Sequence, residues 1–350
     1  MNSTRGRIRR CAILAGALVL ATAARAALAD KTDIVYLRNG DRVTCEIKDM
    51  ERGRLKVSTD SMGTIFIEWK DVERVTSKEL YVIEQQDGTR LNGSLAETAT
   101  GDQLLLHHAD GDQPLAMGEV IRIDPLKIDE MIIKRWDGSV SVGFDKTKAN
   151  DDTSLSAQFD ARRRAQDFAL NFGGSFYSRS QDDAEDSLRA NFGAIYRSLL
   201  EDRWYWAGLG SVERNDELGI DLRTLGGAGY GRYLVQTGRT LWSLTGGAVV
   251  VNEQRAGNEA AETSIEAMLN TDYEFFTYDT PKTSLSTSLT IYPSLTEGGR
   301  VRADANVALR KELITDLFFE LSVYYSWDNE PPEEGEKTDY GLVTSLGYTF

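Results

Sequence analysis

Histidine and cysteine are nearly missing from this 350-residue chain, with two of each. His107 and His108 are neighbours, and no histidine follows them. The last two-thirds therefore has no residue for a Ser-His-Asp or Cys-His constellation. The two cysteines are Cys11 and Cys45. After Ala12–Ala23, no stretch approaches the roughly 18 consecutive apolar residues of a membrane helix. Any membrane crossing beyond that point must be made by strands. Basic charge is also short: 40 Lys and Arg stand against 55 Asp and Glu, for a formal charge of −15. Such a surface suits neither nucleic acid nor anionic lipid, so no nucleic-acid partner is expected.

Residues 1–29 carry the marks of a secretory leader. Arg5, Arg7, Arg9 and Arg10 precede the apolar segment, and Ala27-Leu28-Ala29 offers a small-residue cleavage site before Asp30. Its removal takes away five Arg and no acid, moving the formal charge from −15 to −20. Cys45 then remains alone, so no intramolecular disulfide can form. It lies between Val43 and Ile47 in an alternating segment, which reads as a buried, inert thiol.

The mature chain divides near residue 130. Before it lies a repeat with an offset of 48 residues: "YLRNGDRVTCEI" (36–47) aligns with "EQQDGTRLNGSL" (84–95). The same offset pairs Gly53 with Gly101, Val57 with Leu105, Trp69 with Met117 and Val75 with Ile123. Asn39-Gly40 and Asp87-Gly88 signal hairpins with type I′ turns. Residues 30–125 are expected to form an all-β module of two repeats, 33–78 and 81–126, resembling a tandem Sm/SH3-like barrel. Its role is either a spacer at a barrel mouth or a binding unit of unnamed partner. Residues 127–136 read as a connector.

From Asp137 the pattern changes. Twelve segments alternate apolar and polar residues, clearest in Phe168/Leu170/Phe172/Gly174/Phe176, Ile265/Ala267/Leu269/Thr271/Tyr273 and Val301/Ala303/Ala305/Val307/Leu309. Val140–Phe144, 203–213, Ile220–Tyr233 and Leu241–Val251 are weaker. The intervening face carries Asp160, Arg162, Arg189, Arg197, Glu266, Asp272, Glu274, Arg302, Asp304, Arg310 and Glu320. In a soluble sandwich that face meets water; in a membrane barrel it lines the lumen. Three features favour the barrel. Segments of about ten residues exceed the usual globular strand. Aromatics gather toward segment ends, among them Tyr196, Trp206, Tyr233, Trp242, Phe276, Tyr324, Tyr325 and Trp327. Connections alternate between acidic or Gly-containing loops (146–152, 178–186, 214–219, 252–263, 296–300 and 329–337) and short turns such as "RRRAQD", "LEDR" and "KELITD". The expected fold is therefore all-β: an antiparallel transmembrane β-barrel of about 12 strands over 137–350, preceded by the module.

The chain ends "YGLVTSLGYTF", with Tyr340, Leu342, Leu346, Tyr348 and Phe350 on one face. In a closed barrel this last strand pairs with the first and has no open edge. This ending resembles that of bacterial outer-membrane barrels, and the resemblance implies recognition by the barrel assembly machinery. Over about 130–350 the sequence also resembles the salt-induced outer-membrane protein family, a domain of unknown function. That resemblance implies a Gram-negative outer-membrane location with the N-terminal module in the periplasm.

No Walker, Rossmann or zinc spacing is present, so no cofactor, metal site or catalytic residue is expected, and the protein is read as a non-enzyme. Asp272 and Glu274 share a face, as general acid/base pairs do, but read more simply as lumen charges balanced by Arg302 and Arg310 two strands away. The leading reading is a narrow solute or ion channel, or an envelope-stress structural protein. A hydrolase acting on envelope components and a soluble periplasmic binding sandwich are the alternatives. The expected partners are outer-membrane lipid and lipopolysaccharide, whose phosphates the acidic loops can reach through divalent cations.

Overall fold

In the computed structural model, residues 31–98, 101–108, 111–126, 136–147, 152–180, 187–255, 260–277, 282–331 and 336–349 are described. The leader, most of the connector and Phe350 lie outside the described residues. The module comprises β1 (Asp33–Leu37), β2 (Arg42–Glu51), β3 (Arg54–Thr59), β4 (Gly63–Glu68), β5 (Val72–Gln85), β6 (Arg90–Ala96), β7 (Gln103–His108), β8 (Gly111–Ala116) and β9 (Val120–Pro125). Single 3-10 turns at Trp69–Asp71 and Met117–Glu119 precede β5 and β9.

The 48-residue offset carries over to these elements: β4, its 3-10 turn and the start of β5 recur as β8, the second 3-10 turn and β9. Both hairpin turns use one device. The Gly40 and Gly88 amides donate to the Leu37 and Gln85 carbonyls, while the Asn39 and Asp87 side-chain oxygens accept from the amides two residues on. Gly40 and Gly88 have φ near +90°, but neither Asn39 nor Asp87 has positive φ. These are three-residue loops ending on a left-handed glycine, not the expected type I′ turns.

The strand order is β4-β3-β2-β1-β5-β6-β7-β8, and β9 pairs with both β2 and β5. β5 serves both repeats: Val72–Thr76 faces β1, and Tyr81–Gln85 faces β9. The circuit β2–β1–β5–β9 closes around one shared core that includes Val35, Ile47, Leu55, Val57, Tyr81, Ile83, Leu104, Leu106 and Ile123. The Trp69 indole donates to the Met117 carbonyl at 2.8 Å, joining equivalent positions of the two repeats. One aligned pair is not equivalent. Val57 is buried, but Leu104 and Leu106, not Leu105, fill the core from β7. A bulge between Ile47 and Asp49 shifts the β2–β3 register, whereas Ser94, Leu95 and Ala96 face His107, Leu106 and Leu105 without such a shift.

The second unit comprises β10 (Asp137–Thr147), β11 (Asp152–Arg164), β12 (Phe168–Ser180), β13 (Ser187–Leu199), β14 (Trp204–Asn215), β15 (Ile220–Gln236), β16 (Thr240–Arg255), β17 (Glu262–Thr277), β18 (Thr283–Pro293), β19 (Val301–Ile314), β20 (Leu317–Asp328) and β21 (Thr338–Thr349). Among the described residues these twelve strands form a closed antiparallel barrel. The last strand meets the first with Ser139–Val142 opposite Thr349–Leu346. Two of the weakly patterned segments form long strands, with 17 residues in β15 and 16 in β16, the latter equal to the clearly patterned β17. Two of the expected turns are shorter than read, because β11 runs through Arg164 and β19 through Ile314.

Candidate functional site

Alternation turns one face of each barrel strand outward. Val142, Phe144, Trp206, Val250, Leu269, Tyr340 and Leu342 are each at least half exposed. Apolar side chains from every other strand continue this outer band. Tyr233, Phe276 and Tyr324 depart from the expected girdle. Tyr233 and Phe276 are buried, and Tyr324 lines the lumen with the Arg189 guanidinium 4.1 Å above its ring.

The lumen is asymmetric. Beside β14–β17 it is packed by Leu225, Val249, Val251 and Met268, against which Leu209 and Tyr292 lie, and by Tyr205 and Tyr233 closer to the module. Beside β10–β13 and β18–β21 a chamber of about 670 Å³ remains, of mixed lining: Ser141, Gln158, Asn171, Asn191, Asn306 and Ser322 are among its polar walls, and Leu225 and Val343 among its apolar ones. The expected polar inner face is thus interrupted by an internal apolar core that narrows the lumen.

The eleven charges expected in the lumen do project inward, but not all with the expected partners. Arg302 holds Glu266 through two nitrogens at 2.6 and 3.0 Å. Arg310 holds Glu320 at 2.7 Å and reaches Asp160 at 3.4 Å, and Asp160 also accepts from Ser139. The expected balance of Asp272 and Glu274 by Arg302 and Arg310 is therefore incorrect. Asp272 pairs with Arg197 from β13 at 3.1 Å, across the lumen. Glu274 pairs with Arg52 of the module at 2.8 Å and lies 3.8 Å from Arg162. Arg189 reaches Asp339 at 2.7 Å, and Asn215 donates to the same carboxylate. Asp304 lines the chamber opposite Ser326.

Near the end remote from the module, sequence reading overlooked a buried network. Arg223 bridges Glu213 and Glu253, while Arg300 joins Glu253 to Asp328 and Glu297. Arg300 and Glu253 are almost wholly buried. Arg300 follows no strand alternation, because it stands in the connection between β18 and β19.

The module docks on the other end of the barrel, against the short turns. Glu84 accepts from the Arg164 guanidinium at 2.9 and 3.0 Å and from Gln236 at 3.2 Å. Arg122 donates to the Arg164 carbonyl. Arg52 lies over the Phe276 ring at 4.8 Å. Both repeats present a turn: Gly53 abuts Gly238, and Gly88 packs on Arg203 so closely that a Cβ would fall 2.7 Å from its amide nitrogen. Burial pushes the Glu84 carboxyl up, but Arg164, Arg90 and Arg122 together more than reverse this and hold it below the ordinary range. Between module and barrel floor lies a vestibule of about 310 Å³, lined by Glu51 and Arg52 from below and by Arg162, Arg197, Asp272 and Glu274 from the walls.

In the module, Cys45 is fully buried, and burial followed by the Asp33 charge pushes its thiol up to about 12. His107 is exposed and meets Asp112 at 2.5 Å. Among the described residues, no group of three or more His, Cys, Asp or Glu is placed to hold a metal ion.

Among solved structures, the chain is similar to the outer membrane channel from Pseudomonas putida F1, at 15% identity over 65% of this chain and 99% of that one, with a TM-score of 0.36. It is also similar to the NanC porin (8% identity, 61% and 98% coverage, TM-score 0.36). A third similar structure is the beta domain of the Bordetella autotransporter BrkA (9%, 62% and 98%, 0.33). No curated protein matches the chain. A family pattern covers residues 140–350, nearly all of the barrel, and by it the chain belongs to the family described as "Protein of unknown function, DUF481".

Proposed function

We propose that this protein is an outer-membrane β-barrel providing a narrow passage for small polar solutes, with the two-repeat, Sm/SH3-like module held against its periplasmic mouth. The observation that carries this reading is the pairing of an exposed apolar band with an inner face that bears ion-paired charges in one closed barrel. A band of that extent suits hydrocarbon, and closure leaves no unpaired backbone edge within it. Lipid is then the solvent of Val142, Leu269 and Leu342, and lipopolysaccharide faces the acidic connections at the far end. The alternating strand β21, with Tyr340, Leu342, Leu346 and Tyr348 exposed, is the element offered to the barrel assembly machinery. The protein acts without cofactor or catalytic residues; the lumen carboxylates Glu266 and Glu320 are each held by a guanidinium, which opposes general acid/base use.

Planar-bilayer recording on the full chain tests the passage. Small discrete steps are expected, shifted by Arg302→Gln or Asp304→Asn. Silence from a folded, inserted barrel contradicts the passage and favours a second reading, a sealed envelope-maintenance barrel active under salt or osmotic stress. The buried Arg223–Glu253–Arg300–Asp328 network and the docked module support that alternative. Hydrolysis of envelope lipid by the purified chain contradicts both.

A further inference from the structure

The vestibule beneath the lumen carries charge of both signs on opposing walls. Asp272 and Glu274 lie two residues apart on one face of β17, while Arg162 and Arg197 come from β11 and β13. Their mutual pairing is incomplete. Arg197 meets Asp272 through one terminal nitrogen, and its Nε is buried without a hydrogen-bond partner. Arg162 stands 3.8 Å from Glu274, beyond hydrogen-bonding distance, with more than a third of its side chain exposed. Asp272 and Glu274 keep 29% and 33% exposure toward the same cavity.

A lone anion or cation entering this space meets a repelling group beside each attracting one. A molecule that carries both charges a few ångströms apart satisfies both walls. We infer that the vestibule is a binding site for a small zwitterion of the α-amino-acid class, its carboxylate on Arg162 and Arg197 and its ammonium on Asp272 and Glu274. Arg forks suit the planar carboxylate, and two acceptors on one strand face suit an ammonium with three donors. Ser286 adds a hydroxyl at the same wall, where Ser288 and Asn270 hold the other Asp272 oxygen in place at 2.8 and 3.3 Å. Arg52 closes the site from the module side, so both units contribute to it.

This inference deepens the solute-passage reading and rests on it for its biological meaning, but binding is measurable without transport. The test is calorimetric titration of the full chain, folded in detergent micelles, with L-alanine, propanoate and ethylammonium, which share one small skeleton. L-alanine is expected to bind saturably at one site, and each single-charge analogue at least tenfold more weakly. Arg162→Gln and Asp272→Asn are each expected to weaken L-alanine at least tenfold, with Arg162→Lys recovering part of the loss. Equal binding of propanoate makes this an anion site, and equal binding of ethylammonium a cation site; either overturns the inference. So does absence of saturable L-alanine binding by a chain whose heat-modifiable gel migration shows a folded barrel. A chain that conducts but does not bind keeps the passage and loses the site, and one that binds but never conducts does the reverse.

Discussion

Glu84 joins the two units of the chain through one carboxylate, 6% exposed, with Arg164 on both its oxygens. Replacing Arg164 with Ala leaves that carboxylate buried and poorly matched, a change that typically costs about 3–5 kcal/mol. The expected result is faster proteolysis between residues 127 and 136 and greater amide exchange in β5 and β9, with the barrel unaffected. The same pair sets a pH dependence. Glu84 titrates below its ordinary 4.5 in the folded chain, so its stabilisation is present above pH 4.5 and is lost as pH falls from there through the lowered folded-state value. Module docking should therefore weaken on acidification, and Glu84→Gln should flatten that acid limb in an exchange-versus-pH series. Cys45, fully buried with its thiol pushed up to about 12, should resist maleimides at pH 7–8 until the module unfolds. Cys45 could be read from its alternating neighbours. Glu84 could not: its repeat counterpart is Tyr36, and its partner lies 80 residues away in what reads as a turn.

At the level of elements, the repeat was visible because tight turns and a constant offset recur together, and the strands follow that offset. The turn geometry was not visible. Asn-Gly and Asp-Gly serve both two-residue and three-residue loops, and only the φ of the first residue separates them. The β7 register was hidden for another reason: a bulge moves one repeat's side chains to the other face without changing the residue count. In the barrel, β12, β17 and β19 alternate plainly because one face is polar. β16 does not, since Val249, Val250 and Val251 run together, with the outer two packed inside the lumen and the middle one exposed outside, and β15 carries register shifts between Ile220 and Leu222 and between Tyr233 and Val235. β21 closes the ring between β10 and β20. Deleting residues 338–350 removes both pairings and leaves two open edges, which the proposed hydrocarbon setting cannot satisfy. The truncated chain should show no heat-modifiable band and should accumulate unassembled, whereas Tyr340→Phe should assemble normally.

The whole molecule combines three ways of filling a barrel of this size. An apolar core occupies the β14–β17 side, ion pairs brace the far end, and a chamber of mixed lining and a vestibule remain along the other wall. The acidic and basic residues of the inner face were legible as a set, because alternation places them there. Their partners were not, because Arg197–Asp272 and Arg189–Asp339 span a lumen whose diameter no local pattern records. The module's seat on the mouth was equally hidden in sequence, since it depends on two turn tips and a few long-range bonds. The proposed membrane location requires that the outward residues face acyl chains. A nitroxide scan along β19, from Ala303 to Leu309, in the refolded full chain in lipid vesicles tests this most directly. Collision with oxygen should peak at Ala303, Ala305, Val307 and Leu309, and collision with a water-soluble nickel chelate should be lowest there. Equal nickel access on both faces, or no alternation at all, would contradict that location.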